Sequence, residues 1–261
     1  MSRNLPAVLI TGASSGIGAV YAERFAQRGH DLVLVARDKV RLDTLAEQIR
    51  KQASVNIDVL PADLTKITDL RRVEQRLSDD ENIQILINNA GAVAPGGFAN
   101  SDLDALDNLI RLNVTAVTRL ASAAGTRFAS RGKGAVVNIS SILALIPEFN
   151  LGIYAATKSY VLTLSQSLQS ELGPRGVYVQ AVLPAATRTE IWERSGRSID
   201  DLSVVMGVDE LVDAALVGFD RREAVTIPSL PDARQWDAFS SARQAMLPNL
   251  AQPHAAARYH K

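Results

Sequence analysis

Cysteine is absent from this chain, which at once removes disulfides, thiolate metal sites and a cysteine nucleophile. The absence fits a reducing compartment. Histidine is nearly as scarce. His30 falls in an expected turn and His254 and His260 in the C-terminal stretch, which is no basis for a histidine-rich metal centre or a Ser-His-Asp triad. Neither sign of charge is in excess: 28 Lys+Arg balance 28 Asp+Glu, so nothing in the composition favours nucleic acid or an anionic membrane as a partner. Long hydrophobic runs are missing too. No segment approaches the ~20 apolar residues of a membrane span, and the apolar run before Gly12 is too short for a signal peptide. The expectation is a soluble, cytoplasmic protein that acts on a small molecule and needs no metal.

What is present is apolar content: 47% hydrophobic residues over 261 positions, enough to bury one large α/β core. Residues 1–261 read as a single domain without repeats or linkers. Strand-length runs rich in Val, Ile and Leu recur at Ala7–Ile10, Leu32–Ala36, Val55–Leu60, Ile83–Ile87, Ala135–Ile139, Tyr178–Leu183 and Ala224–Ile227. Little alternation within them means burial on both faces, and helical patterns separate them. The pattern predicts a doubly wound Rossmann-type α/β fold, with a seven-stranded, mostly parallel sheet flanked by helices.

Ligands of such sheets bind beyond the strands' C-terminal ends, so the residues just after each run carry the chemistry. After the first run comes TGASSGIG, Thr11–Gly18, leading into a helix with Ile17, Tyr21 and Phe25 at helical spacing. Glycines there let the backbone approach a pyrophosphate, with free N–H groups of the helix start facing it. The spacing is GxxxGxG rather than the commoner GxGxxG. The second run ends in Ala36-Arg37-Asp38. A carboxylate at the tip would favour NAD; Arg37 instead favours the 2′-phosphate of NADP, with a solvated loop residue as the plain alternative. Asp38 suits the N-cap of a helix over Val40–Lys51. Asp63 either meets an adenine edge or caps the next helix, and Asn88-Asn89-Ala90-Gly91 suits backbone crossing beneath an adenosine or any tight turn.

A long helix is expected over Asp102–Arg127, with Leu103, Leu106, Ile110, Val117 and Leu120 inward. Asn113 falls on that stripe, and a buried amide asks for a partner, such as a water or a lysine near the active centre, with a helix-kinking amide as the plain alternative. Tyr154 and Lys158, four apart in YAATK, share a helix face. An ammonium beside a phenol whose proton is ordinarily held to about pH 10 favours the phenolate, lowering that pKa toward the working range of a general acid/base. Ser141 lies thirteen residues upstream of Tyr154, at a strand end. Gly173-Pro174 ends the helix, and the sixth run leads into Pro184-Ala185-Ala186-Thr187-Arg188-Thr189.

Taken in order, TGASSGIG, Asp63, NNAG, Asn113, Ser141, YxxxK and the proline loop make the chain resemble the short-chain dehydrogenase/reductase family, in its single-domain branch, over some two thirds of its length. The resemblance implies a tetrad of Asn113, Ser141, Tyr154 and Lys158. Tyr154 would exchange a proton with substrate, Ser141 would hold the carbonyl oxygen, Lys158 would tune Tyr154 and bind ribose, and Asn113 would hold a relay water. Ser141 is preferred to Ser140 on the family's spacing. Cofactor contacts are implied for Gly12, Ser14, Ser15, Gly16, Ile17, Gly18, Arg37, Asp63, Leu64, Asn89, Ala90, Gly91, Tyr154, Lys158, Pro184, Thr187 and Thr189. The implied cofactor is NADP(H) rather than NAD(H), the reaction carbonyl–alcohol interconversion, and the assembly a homodimer or homotetramer.

Two features depart from the family. Pro184-Ala185 replaces its usual Pro-Gly, and Pro228-Ser229-Leu230-Pro231 replaces a glycine pair after the last strand. Residues 190–206 have little periodicity and read as a substrate lid with Ile191 and Trp192 as cover and Gly196 as pivot, or as an ordinary surface segment with helix at its core. The stretch 230–261, with Trp236, Phe239, Met246 and Leu247, reads as a tail bearing a short amphipathic helix. Competing readings are a non-enzymatic NADP-binding regulator on the same fold, or an epimerase or dehydratase of this family.

Overall fold

The computed structural model of the chain describes residues 5–93, 101–149, 151–190, 198–199 and 202–260. Seven strands, β1 (Ala7–Thr11), β2 (Leu32–Ala36), β3 (Ile57–Pro61), β4 (Ile83–Asn88), β5 (Gly134–Ile139), β6 (Val177–Val182) and β7 (Val225–Thr226), form one sheet. Their order is β3-β2-β1-β4-β5-β6-β7, and all recorded pairs are parallel. The chain builds outward from β1 to β3, then returns to lay β4 on the other side of β1. That reversal leaves a crevice at the C-terminal ends of β1 and β4, where connections depart in opposite directions.

The strands read as unbroken apolar runs because both faces are covered. Val8, Ile10, Leu32 and Leu34 pack toward α1 (Gly16–Gln27), α2 (Lys39–Arg50) and the later helix Val208–Asp220. Their neighbours Leu9, Val33 and Val35 pack toward α3 (Ile67–Asp79) and the helices that follow it. Successive side chains of a strand point to opposite faces, so each strand feeds both layers. Asp38 does cap α2: its carboxylate accepts from the Arg41 N–H at 3.0 Å.

The long helix expected over Asp102–Arg127 is instead three pieces. They are α4 (Leu103–Ile110), a π-helical turn (Arg111–Ala116) and α5 (Val117–Arg131). The wider turn rotates what precedes it, so Leu103 and Ile110 face outward while Leu106, Val117 and Leu120 stay buried. A single 3.6-residue period carried across the break places those two residues wrongly. The edges of the sheet also differ from expectation. The last strand is only two residues long, and the third starts at Ile57 rather than Val55.

The helix bearing Tyr154 and Lys158, α6 (Gly152–Leu172), is tied to the sheet through polar atoms. Asn88 of β4 and Asn138 of β5 are register partners, and the Asn88 Nδ2 donates to Asn138 Oδ1 at 2.9 Å. Asn138 Nδ2 donates to Ser165 Oγ of α6 at 2.9 Å, and Ser165 Oγ donates to the Val161 carbonyl at 2.7 Å. All three side chains are buried. The last helix of this unit is α7 (Val208–Asp220), joined to α1 through Arg24, which donates to Asp213 at 2.7 Å and Asp209 at 2.8 Å.

The chain divides into two compact units, Met1–Pro228 and Ser229–Lys261. The second holds α8 (Ala233–Ala245), capped by Asp232, and the short helix Leu247–Leu250. The Trp236 and Phe239 rings pack tilted against each other within it, centroids 5.5 Å apart. Among the described residues no helix is long and apolar enough to cross a membrane.

The Asn88–Asn138–Ser165 string generates a stability prediction. Asn138→Ala leaves a buried amide and a buried hydroxyl each short of a partner, and unfolding should become easier by about 1–3 kcal/mol. Urea titration measures this as a lower midpoint at constant slope. A midpoint equal to wild type would show that the string carries no stability.

Candidate active site

The C-terminal end of β5 delivers Ser140 and Ser141 in succession, and they do different jobs. Ser140 Oγ turns inward and donates to the main-chain carbonyl of Lys158 at 2.7 Å, fastening α6 to the sheet. Ser141 has extended backbone, accepts from the Leu143 N–H at 3.1 Å and donates to the Pro184 carbonyl at 3.4 Å. It also faces the Tyr154 hydroxyl. Ser141 is therefore the serine in line with the tyrosine.

Lys158 is buried. Its ammonium donates to the Ile139 carbonyl at 2.8 Å and stands 5.6 Å from the Tyr154 ring centroid. Burial disfavours the charged form, and its pKa falls to about 8. Tyr154 does not follow the expectation of a lowered pKa. Enclosure of its hydroxyl pushes it up to about 12, and the group that pulls it back is the Ser141 hydroxyl, not Lys158. The free chain thus holds a phenol that keeps its proton at neutral pH, beside an ammonium that gives up its own near pH 8.

Asn113 sits in the π turn and is buried. Its Oδ1 accepts from the Ala92 N–H at 2.9 Å, while Nδ2 donates to the Ala92 carbonyl at 2.9 Å and to Thr157 Oγ1 at 3.1 Å. Thr157 in turn donates to the Tyr154 carbonyl at 2.8 Å. The amide asked for a partner, and protein atoms answer it. A methyl on Gly91 would stand 3.4 Å from both Asn113 Oδ1 and Lys158 Nζ, so the loop after β4, the π turn and α6 converge there.

On the β1 side, Thr11 Oγ1 donates to the Ile87 carbonyl at 3.2 Å and accepts from the N–H groups of Asn89 and Ala90 at 3.0 Å each. The Asn89 amide then donates to the carbonyls of Thr11 at 2.9 Å and Gly12 at 3.2 Å. Gly12 has φ +65°, and a Cβ there would lie 2.8 Å from Asn89 Nδ2. One at Gly18 would collide with the Gly12 carbonyl, so α1 can start this close to the strand only without side chains. Ser15 is the N-cap of α1 but makes no side-chain cap, and the first turn carries no acid. This helix start suits an anion. Ser14 and Ile17 lie in the same turn, half-buried.

Arg37 is exposed at the tip of β2 and forms no hydrogen bond or ion pair among the described residues. Asp63 is not the N-cap of α3, a position Lys66 holds. Its Oδ1 accepts from Thr65 N at 3.1 Å and Thr65 Oγ1 at 2.7 Å, and Asp69 accepts from its N–H at 2.9 Å. Leu64 beside it is buried. The Pro184 carbonyl also accepts from Ile142 N at 3.0 Å, and Thr187 donates to the Ala185 carbonyl at 2.9 Å. Ala185 is not among the positive-φ residues, so its methyl imposes no backbone strain where the family has glycine. Thr189 approaches the glycine loop: a Cβ on Gly16 would lie 3.2 Å from its Cγ2. Of the stretch 190–206, residues 191–197, 200 and 201 lie outside the described residues, Ile191, Trp192 and Gly196 with them. Its ends are pinned together, since Thr187 and Met206 form a parallel bridge.

A model of the short chain dehydrogenase family matches residues 6–199. The chain belongs to that family. Among curated relatives of this short-chain dehydrogenase is the human 17-beta-hydroxysteroid dehydrogenase type 3, 31% identical over 80% of this chain and 66% of the relative. A very-long-chain 3-oxoacyl-CoA reductase of Danio rerio is 32% identical over 70% of this chain and 60% of its own length. The chain thus spans somewhat under two thirds of these relatives. Solved structures align over nearly all of it. A short-chain dehydrogenase from Sphingobium yanoikuyae in complex with NADPH is 60% identical, with TM-score 0.97, covering 98% of this chain and 100% of that one. The bulky-bulky ketone specific alcohol dehydrogenase from Comamonas testosteroni is 55% identical, with TM-score 0.92, covering 99% and 100%.

The family motifs account for most of the site, but not for Ser140 or Thr157. Thr157 lies three residues after Tyr154, and Ser140 next to Ser141; neither spacing distinguishes an anchoring hydroxyl from a bystander. Thr11 opens the TGASSGIG motif, but its hydroxyl's bonds to the chain after β4 have no mark in the sequence.

Burial of Lys158 in the dehydrogenase has a pH signature. The unfolded amine keeps its proton to its ordinary pKa of 10.5, the folded one only to about 8. Between those values the unfolded state binds more protons, so the Lys158 contribution to stability improves as pH rises. The penalty is full below about pH 8. Lys158→Met should therefore gain stability relative to wild type below pH 8, and that gain should shrink toward pH 10.5. Urea unfolding of both proteins across this range tests it. A difference that stays constant with pH would show that the amine is not desolvated.

Proposed function

We propose that this dehydrogenase interconverts hydrophobic ketones or aldehydes and the corresponding alcohols with NADP(H). The observation that carries the reading is the convergence, at one crevice, of Ser141, the Tyr154 hydroxyl and the Lys158 ammonium beside a glycine turn built for a pyrophosphate. Gly12, Gly16 and Gly18 leave room for that group at the uncapped start of α1. Arg37 would meet the 2′-phosphate, and the loop Asn89-Ala90-Gly91 would run beneath the adenosine. The recorded bonds to the Asp63 carboxylate all use Oδ1, and the adenine amine would take the other oxygen. Thr187 and Thr189 of the proline loop would lie along the nicotinamide half. The bound nicotinamide supplies or accepts the hydride.

The chain's own part is to bind, orient and move a proton. In the reducing direction Ser141 donates a hydrogen bond to the substrate oxygen while Tyr154 gives up its proton to it. A phenol protonated at neutral pH is a competent donor, and the adjacent Lys158 ammonium stabilises the phenolate left behind. Lys158 would also hold the ribose. The side chain of Asn113 is committed to Ala92 and Thr157, so it acts by fixing the π turn and the loop after β4, and a relay water would rest on main-chain groups near Lys158. Beside Ser141 the half-buried run Ile142, Leu143, Leu145 and Ile146 offers an apolar wall. With the similarity to a bulky-bulky ketone specific enzyme, it supports ketones bearing two sizeable substituents.

Following nicotinamide absorbance with ketones of increasing bulk tests the reading directly. Tyr154→Phe should bind NADPH as wild type does and lose about 10²–10⁴-fold in kcat. Turnover near wild type would remove Tyr154 from the proton step. A charge-assisted contact is worth about 1.5–3 kcal/mol, so Arg37→Ala should weaken NADPH about tenfold or more and spare NADH. Equal weakening of both cofactors would refute the 2′-phosphate assignment.

A further inference from the structure

Four residues after Arg37, the first turn of α2 carries a second arginine. Arg41 Nη1 donates to both carboxylate oxygens of Glu190 at 2.8 Å, and its Nε lies 3.7 Å from Asp38 Oδ2. Glu190 directly follows Thr189, whose methyl sits against Gly16 of the glycine turn. The contact therefore runs from the start of α1 to the start of α2, across the opening between the tips of β1 and β2. An adenosine ribose bound through Gly12–Gly18 and Arg37 must occupy that opening.

We propose that Glu190 is a specificity-determining residue. In the free protein its carboxylate holds the Arg41 position that the 2′-phosphate of NADP(H) takes. Arg41 is the second ligand of that phosphate, beside Arg37. The inference rests on the NADP(H) reading above. The side chains of Arg41 and Glu190 are 47% and 38% exposed, and ion pairs this open to water are weak. A phosphate dianion on the same guanidinium makes stronger, charge-assisted bonds. A carboxylate left beside it would be repelled, so the phosphate displaces Glu190. NADH brings no such anion and leaves the pair intact. The acid thus weakens NADPH binding in the free protein and ties release of residue 190 to the cofactor's phosphate.

Dissociation constants for NADPH, NADH and 2′,5′-ADP, measured by calorimetry on wild type, Glu190→Gln, Arg41→Ala and the double variant, test this. Glu190→Gln should tighten NADPH and 2′,5′-ADP about two- to fivefold, the range expected for one exposed ion pair, and leave NADH unchanged. Arg41→Ala should weaken NADPH, and in that background Glu190→Gln should have no further effect. Weaker NADPH binding by Glu190→Gln, an equal effect on NADH, or no response to Arg41→Ala overturns the inference. Arg37→Ala separates the two levels. If it weakens NADPH while the Glu190 and Arg41 variants behave as wild type, only this inference fails. If it leaves NADPH untouched, the NADP(H) reading fails and this one with it.

Discussion

The site depends on keeping one ammonium out of water. Lys158 lies in the seam between α6 and the end of β5, and the Ile139 carbonyl is its recorded hydrogen-bond acceptor. A buried charge is costly unless its donors are satisfied and its surroundings cannot relax away from it. The neighbouring polar contacts serve that end. Ser140 grips the Lys158 main chain from the strand. Asn138 and Ser165 hold α6 two turns further along. Asn113 and Thr157 fix the helix to the loop after β4. With α6 clamped at several heights, the tyrosine one turn before Lys158 has little freedom in where its hydroxyl points.

The architecture was largely legible in the sequence because it follows from local pattern. Apolar runs marked all seven strands to within about two residues, and Asp38 announced the start of α2. Ser141 was distinguished from Ser140 by spacing, and the two hydroxyls do point to different partners. What escaped was everything that needs two distant segments to meet. The π turn cannot be read from a helix pattern with period 3.6, which is why Leu103 and Ile110 were placed inward. The pairing of Asn88 with Asn138 depends on strand register. The Tyr154 pKa depends on burial, which spacing on a helix cannot reveal; the Lys158 neighbour is visible in the sequence, but the desolvation that raises the phenol is not. Arg41 and Glu190, 149 positions apart, carry no sequence signal of their meeting.

Around this clamp the two sides of the crevice are built differently. On the β5–α6 side, side chains make the site and are held by other side chains. On the β1–α1 side, the lack of side chains makes it: Gly12 and Gly18 bring main chain against main chain, and Thr11 and Asn89 hold the approach with hydrogen bonds to the backbone. The first arrangement suits proton transfer, which needs groups of definite pKa. The second suits recognition of a pyrophosphate, which any backbone N–H can perform.

The bridge between Thr187 and Met206 bears on how this scaffold can change. It lies outside the strands, between the end of β6 at Val182 and the start of α7 at Val208, and brings the two connecting segments side by side. Residues 188–205 are therefore an excursion whose two ends are already joined. Lengthening such an excursion costs only slowly growing closure entropy. The stretch can then be replaced or extended while β6 and α7 keep their places. Such an exchange leaves α6, with Tyr154 and Lys158 on it, as it is.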